Sequence, residues 1–361
     1  MKENEKKLFK ELCKFKNNKL DESLLKCATP AVLGQLFFNR MQGIAYDALK
    51  KSGMLGKVNR EFRNSLAAAY EQNLSKNQSF IECVSMISDI LAECNCKVAM
   101  LKGAFLCPYY PEGYRTSNDI DLLVLPQDVT TVCNLLYQAG FRQGNIRNGE
   151  FVPAGRKEII ASKMMRGETV PYIKEVNLPY LKYLEVDINF SLDYKNGGDD
   201  VLAALMERSC IRKIDGISIP TLEKHDFFIH LCAHLYKEAT TLPWIQMHRD
   251  MTLYKYCDIY MLLSEMTDSD IVQIFARSKT IGLEKICAYT ILETMGLFDI
   301  ENNFAKFCAL ENLAGDLDFC LQIVSPKEKK YMIYQTADVN ERFFMEDRTL
   351  DLKEVVINEK A

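Results

Sequence analysis

Two stretches of the sequence alternate polar and apolar residues with a period of two, and they constrain the fold more than any other feature. The first is RTSNDIDLLV at 115–124 and the second is LEVDINFSL at 184–192. Side chains at alternate positions of a β-strand point to the same face of a sheet. Each stretch therefore predicts a strand with one apolar and one polar face. The polar face of the first carries Asp119 and Asp121, and that of the second carries Glu185, Asp187 and Asn189.

Acidic side chains that share a strand face need a compensating positive charge. Two carboxylates about 4 Å apart repel each other by roughly 4 kcal/mol at an effective dielectric constant near 20. Oxygen ligands without histidine or cysteine suit Mg²⁺ or Mn²⁺, and three carboxylates can hold two such ions around a phosphoryl group. The candidate metal ligands are Asp119, Asp121 and Asp187. The alternative is that the Asp-x-Asp pair only marks an exposed strand edge or turn.

A lysine and a glycine end the apolar run that precedes the first acidic stretch. In VAMLKGAFL, Lys102 and Gly103 stand between a predicted strand and a helix-like segment. Glycine allows close backbone approach, and amides at the start of a helix can bind phosphate oxygens. Lys102 would add a positive charge for a triphosphate. A solvated lysine at a strand end is the alternative.

The order of these motifs carries a family resemblance. Between about Lys97 and Leu192 the chain has Leu-Lys-Gly, Tyr-Pro, Arg, Asp-Ile-Asp-Leu-Leu-Val, a helix ending in Gly-Phe, and Val-Asp-Ile-Asn-Phe. This order resembles the nucleotidyltransferases of the DNA polymerase beta-like superfamily. The resemblance implies an α+β fold, in which a small mixed β-sheet core is flanked by N-terminal and C-terminal helical regions. It also implies transfer of NMP from an NTP, with ATP as the expected donor, to a hydroxyl of an acceptor, with release of pyrophosphate.

The resemblance also assigns roles to individual residues. It implies Asp119, Asp121 and Asp187 as catalytic ligands of Mg²⁺ or Mn²⁺, and by analogy Asp187 as the base. It implies contacts to the nucleotide phosphates from Lys102 and Gly103, and we expect Arg115 and Ser117 to bind the nucleotide as well. The planar guanidinium of Arg115 suits either a phosphate contact or neutralisation of the acids, and a loop arginine paired with a nearby acid is the alternative.

Two positions depart from the pattern of this superfamily. The phosphate turn reads Gly103-Ala104, where many members have Gly-Ser or Gly-Gly, so this turn lacks a hydroxyl. Asn189 stands where relatives often carry histidine, and asparagine can form hydrogen bonds but cannot relay a proton.

Hydrophobic periodicity divides the chain into four regions. Helical spacing predicts an N-terminal helical region and a C-terminal helical domain, with the catalytic core between them and a polar tail at the end. The predicted bounds are 1–95, 96–220, 221–325 and 326–361. Within the core, strands are predicted near 98–101, 120–125, 158–164, 173–176 and 184–192, and a helix over 126–139.

Composition argues against several classes of function. A formal net charge of -4 disfavours a surface for duplex DNA. Thirteen cysteines without a Cys-x-x-Cys pair favour reduced thiols over a disulfide framework or a thiolate zinc site. The N-terminus lacks the apolar segment of a secretory signal, and no apolar run reaches membrane-spanning length. We therefore expect a cytoplasmic protein without a membrane partner.

All four histidines fall between His225 and His248. His230 and His234 are four residues apart, so they share a helix face in a geometry that zinc could use. No glutamate follows in the metalloprotease pattern, and a place in helix packing or in the wall of an acceptor pocket is favoured. The role of this cluster stays open.

Two other functions remain compatible with the sequence. A chain of this fold could bind nucleotide without turnover or act as a scaffold. It could also modify tRNA or another RNA, as toxin-like relatives do, because residues 142–174 contain seven basic and three acidic residues. A solvated hairpin is the alternative for that segment. The sequence does not distinguish a small molecule, a protein or an RNA as the acceptor.

Overall fold

The computed structural model describes residues 1–16, 20–192, 198–326 and 330–355. The chain divides into two compact units, which we name by their content. The sheet unit is Ala67–Phe227, and the helical unit combines Met1–Leu66 with Phe228–Ala361. The predicted core at 96–220 lies within the sheet unit, and the finer division into four regions stays a prediction.

The described residues form the following elements. The helices are α1 (Glu3–Cys13), α2 (Pro30–Phe38), α3 (Gln42–Lys51), α4 (Arg60–Ala92), α5 (Lys102–Tyr109), α6 (Val129–Gln138), α7 (Arg156–Arg166), α8 (Asp199–Arg208), α9 (Lys224–Ala239), α10 (Leu242–Gln246), α11 (Leu253–Leu263), α12 (Asp268–Thr280), α13 (Glu284–Phe298), α14 (Asn303–Leu313) and α15 (Val339–Phe343). The strands are β1 (Val98–Met100), β2 (Asp119–Val124), β3 (Arg142–Arg147), β4 (Glu150–Pro153), β5 (Tyr172–Leu178), β6 (Leu181–Asn189), β7 (Cys210–Ile214), β8 (Ile217–Thr221), β9 (Gln322–Ser325), β10 (Lys330–Tyr334) and β11 (Leu352–Val355).

A six-stranded sheet forms the centre of the sheet unit, in the order β1-β2-β6-β5-β3-β4. Strand β2 pairs antiparallel with β1 and parallel with β6. The pairs β6–β5, β5–β3 and β3–β4 are antiparallel. The sheet is therefore mixed, and the predicted α+β class is confirmed.

The two strands with acidic alternation have one fully buried face each. Ile120, Leu122, Val186 and Ile188 have no exposed surface. Burying four such side chains stabilises the sheet by about 1.5–3 kcal/mol for each one. This apolar face fixes the strand orientation, because a slip of one residue would bury the acids instead.

The long helix α4 lies against several parts of the sheet unit. Its residues Phe80, Val84 and Ile87 follow the i, i+4, i+7 spacing of one helix face and are fully buried. The Ser79 hydroxyl donates a hydrogen bond to the Pro179 carbonyl at 2.9 Å, in the turn between β5 and β6. The helix thus has a fixed position beside the sheet.

One predicted strand is wrong. Residues 158–164 belong to α7, in which the Ile159 amide donates to the Gly155 carbonyl and Gly167 ends the helix in the left-handed conformation. A short apolar run does not by itself distinguish a helix from a strand. The other four predicted strands overlap β1, β2, β5 and β6.

The helical unit includes a three-stranded sheet in the order β11-β10-β9. Its C-terminal part is held by buried ion pairs. Arg348 binds Asp250 through two hydrogen bonds of 2.7 and 2.6 Å, and Arg342 binds Glu293. All four side chains are less than a tenth exposed. Among the helices of the described residues, none combines the length and the apolar character that crossing a membrane requires.

Candidate active site

The parallel pairing of β2 with β6 brings four carboxylates together. Asp119 lies opposite Glu185, and Asp121 lies opposite Asp187. Register partners on neighbouring strands are about 5 Å apart and share a face of the sheet. We refer to these four residues as the carboxylate quartet. The three predicted metal ligands are thus neighbours, although they are separated by up to 68 positions in the sequence.

Burial and repulsion from the neighbouring acids oppose ionisation of Asp187 and Glu185. Desolvation, followed by the charges of Asp121, Glu185 and Asp119, raises the pKa of Asp187 to about 8. Desolvation and the same aspartate charges also raise the pKa of Glu185. The protein surroundings therefore do not fully stabilise the charged forms of Asp187 and Glu185. A nearby cation would relieve this imbalance.

Two acids near Asp187, namely Glu185 and Glu168, were not among the predicted site residues. Glu185 was visible in the alternating pattern of its strand. The charge of Glu168 also raises the pKa of Asp187, and the backbone of Glu168 forms an isolated β-bridge with Asn189 of β6. No sequence pattern marks Glu168, because its position follows from the end of α7 at Gly167.

Lys102 places a positive charge against the quartet. Its Nζ lies 3.1 Å from Asp121 Oδ1, and the two side chains are 25% and 13% exposed. The backbone of Lys102 has φ +44°, a conformation that residues other than glycine seldom adopt. The Leu101 amide donates to the Asp121 carbonyl at 2.9 Å, which ties the start of α5 to β2. Strained backbone of this kind is concentrated at functional sites.

Gly103 and Ser117 are in direct contact. A Cβ on Gly103 would lie 2.6 Å from Ser117 Oγ, closer than any real side chain allows. Ser117 Oγ donates a hydrogen bond to Asp119 Oδ1 at 2.8 Å. The Ser117 side chain thus occupies the space that a side chain at position 103 would need.

Arg115 is buried within the segment that leads into β2. It is 9% exposed, and its guanidinium donates to the Thr116 carbonyl. Its own backbone carbonyl accepts a hydrogen bond from the Asn77 side chain at 2.6 Å. Both predicted roles of Arg115, in phosphate binding and in charge balance, stay predictions.

The side chains of the described residues do not form a ready metal cage. Within those residues, no group of three or more histidine, cysteine, aspartate or glutamate side chains is arranged to hold a metal ion. In the quartet, Asp121 is paired with Lys102 and Asp119 with Ser117. The donor set nevertheless has the right chemistry for Mg²⁺ or Mn²⁺, because all its ligands are carboxylate oxygens.

Two of the four histidines lie beside glutamates. His234 Nε2 lies 3.6 Å from Glu238 Oε1, and His225 Nδ1 lies 3.4 Å from Glu223 Oε1. His230 is 8% exposed, as expected of a histidine in helix packing. In the described part of the chain these residues give no support to a zinc site.

The basic segment at 142–174 contains a β3–β4 hairpin followed by α7. The Arg142 guanidinium lies 4.2 Å from the centre of the Tyr137 ring and donates to the Phe141 carbonyl. The side chains of Lys163 and Arg166 lie outside the described part. A role of this segment in RNA binding stays a prediction.

Comparison with known proteins gives one family match. A family model described as an uncharacterised nucleotidyltransferase matches residues 29–299. Among solved structures, the chain is similar to an antigenic nucleotidyltransferase-like protein from Paracoccidioides brasiliensis, at 11% identity and a TM-score of 0.34. That match covers 58% of this chain and 91% of the other. No curated protein matches the sequence.

Proposed function

The chain belongs to the uncharacterised nucleotidyltransferase family, and from that premise we propose that it is a divalent-metal-dependent enzyme that transfers NMP from an NTP to an acceptor hydroxyl. ATP is the expected donor. The observation that carries this proposal is the register of β2 and β6, which groups Asp119, Asp121 and Asp187 beside Lys102. Acidic oxygen ligands next to a phosphate-binding lysine are what phosphoryl transfer requires.

In this proposal Asp119, Asp121 and Asp187 hold Mg²⁺ or Mn²⁺. When bound, the cation would offset the negative charge of the triphosphate and of the carboxylates around it. The ammonium of Lys102 then leaves Asp121 for a phosphate oxygen. Gly103 lets the triphosphate approach the backbone at the start of α5.

The remaining groups position the reacting atoms. Ser117 and Arg115 are the further candidates for phosphate contacts. Asp187 accepts the proton of the acceptor hydroxyl, whose oxygen forms a bond to the α-phosphorus while the bond to the bridging oxygen breaks. Pyrophosphate leaves with the electron pair of that bond. The acceptor has no assigned chemistry beyond its hydroxyl.

The test uses purified protein, chelated and then supplied with Mg²⁺ or Mn²⁺. Binding of ATP and the other NTPs is measured by calorimetry, and pyrophosphate release is measured in the presence of candidate acceptors. The variant Asp119→Asn/Asp121→Asn should lose metal-dependent NTP binding. A matched control is Asp215→Asn, an exposed acid in the turn between β7 and β8.

Two results would contradict the proposal in different ways. If the double variant bound metal and NTP as the parent does, the site assignment would be wrong. If the parent bound NTP with metal but released no pyrophosphate with any acceptor, including tRNA and total RNA, the chain would be a nucleotide-binding member without turnover.

A further inference from the structure

The segment that carries Arg115 and Ser117 is attached to one face of helix α4. This segment, residues 110–118, joins α5 to β2 and is named the site loop here. The helix residues that contact it are Tyr70, Asn73, Leu74 and Asn77. Their spacing of i, i+3, i+4 and i+7 places them on one face of the helix.

Two asparagines on this face hold the loop by its backbone. Asn73 Nδ2 donates to the Gly113 carbonyl at 3.0 Å, and Asn77 Nδ2 donates to the Arg115 carbonyl at 2.6 Å. The asparagines are 8% and 2% exposed. Both carbonyls belong to buried residues, and a buried carbonyl that loses its donor is costly. The two bonds therefore fix the path of the loop two and four residues before Ser117.

The loop is shaped to fit this face. Gly113 has φ +79°, and a Cβ there would lie 2.7 Å from the Tyr70 ring and 3.2 Å from Leu74 Cδ2. The Tyr70 hydroxyl also donates to the Glu112 carbonyl at 3.4 Å. A glycine is required at this position both by its backbone conformation and by the closeness of the helix.

The Asn77 amide contributes as a donor alone. Its Oδ1 is buried and accepts no hydrogen bond from the residues that the structure describes. Exchanging the amide oxygen and nitrogen would turn the oxygen toward the Arg115 carbonyl, so the contact with the loop fixes the amide orientation.

The far end of the loop reaches the candidate active site. Ser117 contacts Gly103 at the start of α5 and donates to Asp119 in the quartet. The middle of the loop is thus held by α4, and its C-terminal end contacts a predicted phosphate-binding glycine and a predicted metal ligand. A displacement of about 1 Å in such a segment can reduce activity about 100-fold.

We propose that Asn73 and Asn77 are positioning residues of the nucleotide site, which act through the site loop by setting the positions of Arg115 and Ser117. This inference rests on the proposed function, because it presumes that Ser117 and Gly103 meet the phosphates of an NTP. It assigns to the middle of α4 a role in nucleotide affinity in addition to its packing role.

The experiment compares Asn73→Ala and Asn77→Ala with Ser79→Ala. Ser79 is a matched control because it lies on the same helix, is 4% exposed and donates to a backbone carbonyl, that of Pro179, outside the site loop. The dissociation constant of ATP in the presence of Mn²⁺ is measured by calorimetry on the full chain, at a temperature where all variants are folded. Asn73→Ala provides a second variant if Asn77→Ala does not fold.

We expect ATP affinity to fall about tenfold in each asparagine variant and to stay within about twofold in Ser79→Ala, although all three lose thermal stability. We also expect Asn77→Ala to have a smaller effect in a Ser117→Ala background, because both act through the same loop. A purely structural asparagine would give additive effects.

The outcomes separate the two proposals. If the parent binds Mn²⁺ and ATP and the asparagine variants bind them equally well, or if Ser79→Ala weakens binding to the same extent, the positioning role is refuted and the proposed function stands. If the parent binds no NTP with any divalent metal, the proposed function is refuted, and the positioning role with it.

Discussion

Asp187→Asn tests whether the quartet is electrostatically strained. Its raised pKa of about 8, against an ordinary value of 3.8, means that the folded protein holds this proton more tightly than the unfolded chain. As pH rises from about 4 to about 8, the unfolded chain ionises first, so the free energy of unfolding falls through this window. The difference between the two pKa values bounds the cost at roughly 6 kcal/mol.

The expected effect is smaller than this bound. Asp187 is only partly buried, and side-chain movement and water would screen part of the repulsion. We therefore expect Asp187→Asn to raise the free energy of unfolding of chelated protein by about 2–3 kcal/mol at pH 8.5, with a smaller gain at pH 5, where the folded carboxyl is already protonated.

The measurement is urea unfolding at both pH values, with and without Mn²⁺. Mn²⁺ should stabilise the parent at pH 8.5 and should have little effect on the variant, which has lost a ligand. Asp215→Asn is the control and should change neither the pH dependence nor the response to Mn²⁺. A gain of equal size at both pH values, or a loss at both, would show that Asp187 does not carry the strain inferred from its position.

Three further predictions follow from individual contacts. Gly103→Ala should weaken ATP binding, because its Cβ meets Ser117 Oγ, and Ser117→Gly in the same chain should restore part of the affinity in a calorimetric titration. Arg348→Met should lower the stability of the helical unit by about 3–5 kcal/mol in urea unfolding, because it leaves the buried Asp250 charge unpaired; an unchanged midpoint would contradict this. Elemental analysis of purified protein should find zinc well below one atom per chain, because His234 lies beside Glu238, His225 lies beside Glu223 and His230 is buried; one zinc per chain would contradict this.

Local pattern was sufficient to predict the faces of the two central strands. The alternation around Asp121 and Asp187 identified which side chains share a face, because strand periodicity is a local property. The parallel register that places these two residues opposite each other is a non-local property. The family resemblance implied their proximity, whereas the residue pattern alone did not.

Other parts of the fold depended on features that periodicity does not report. Residues 158–164 form a helix that begins after Gly155 and ends at Gly167, whereas an apolar run of that length is ambiguous between helix and strand. The predicted strands do not include the β7–β8 hairpin, although Asp215-Gly216 is a strong turn sequence between two alternating runs.

Contacts between distant segments were the least visible part of the candidate site. The Ser117 hydroxyl lies beside Gly103 only because the site loop folds back on α5. Asn73 and Asn77 read as ordinary polar residues of a helix, and their buried hydrogen bonds depend on where the loop passes. No pattern within α4 could have predicted them.

The most direct test of the central claim is a crystal of the protein with Mn²⁺ and a non-hydrolysable ATP analogue, examined by anomalous scattering. We predict Mn²⁺ peaks about 2.1 Å from carboxylate oxygens of Asp119, Asp121 and Asp187, with the triphosphate at Lys102 and Gly103. Nucleotide bound elsewhere, or Mn²⁺ away from these three aspartates, would contradict it.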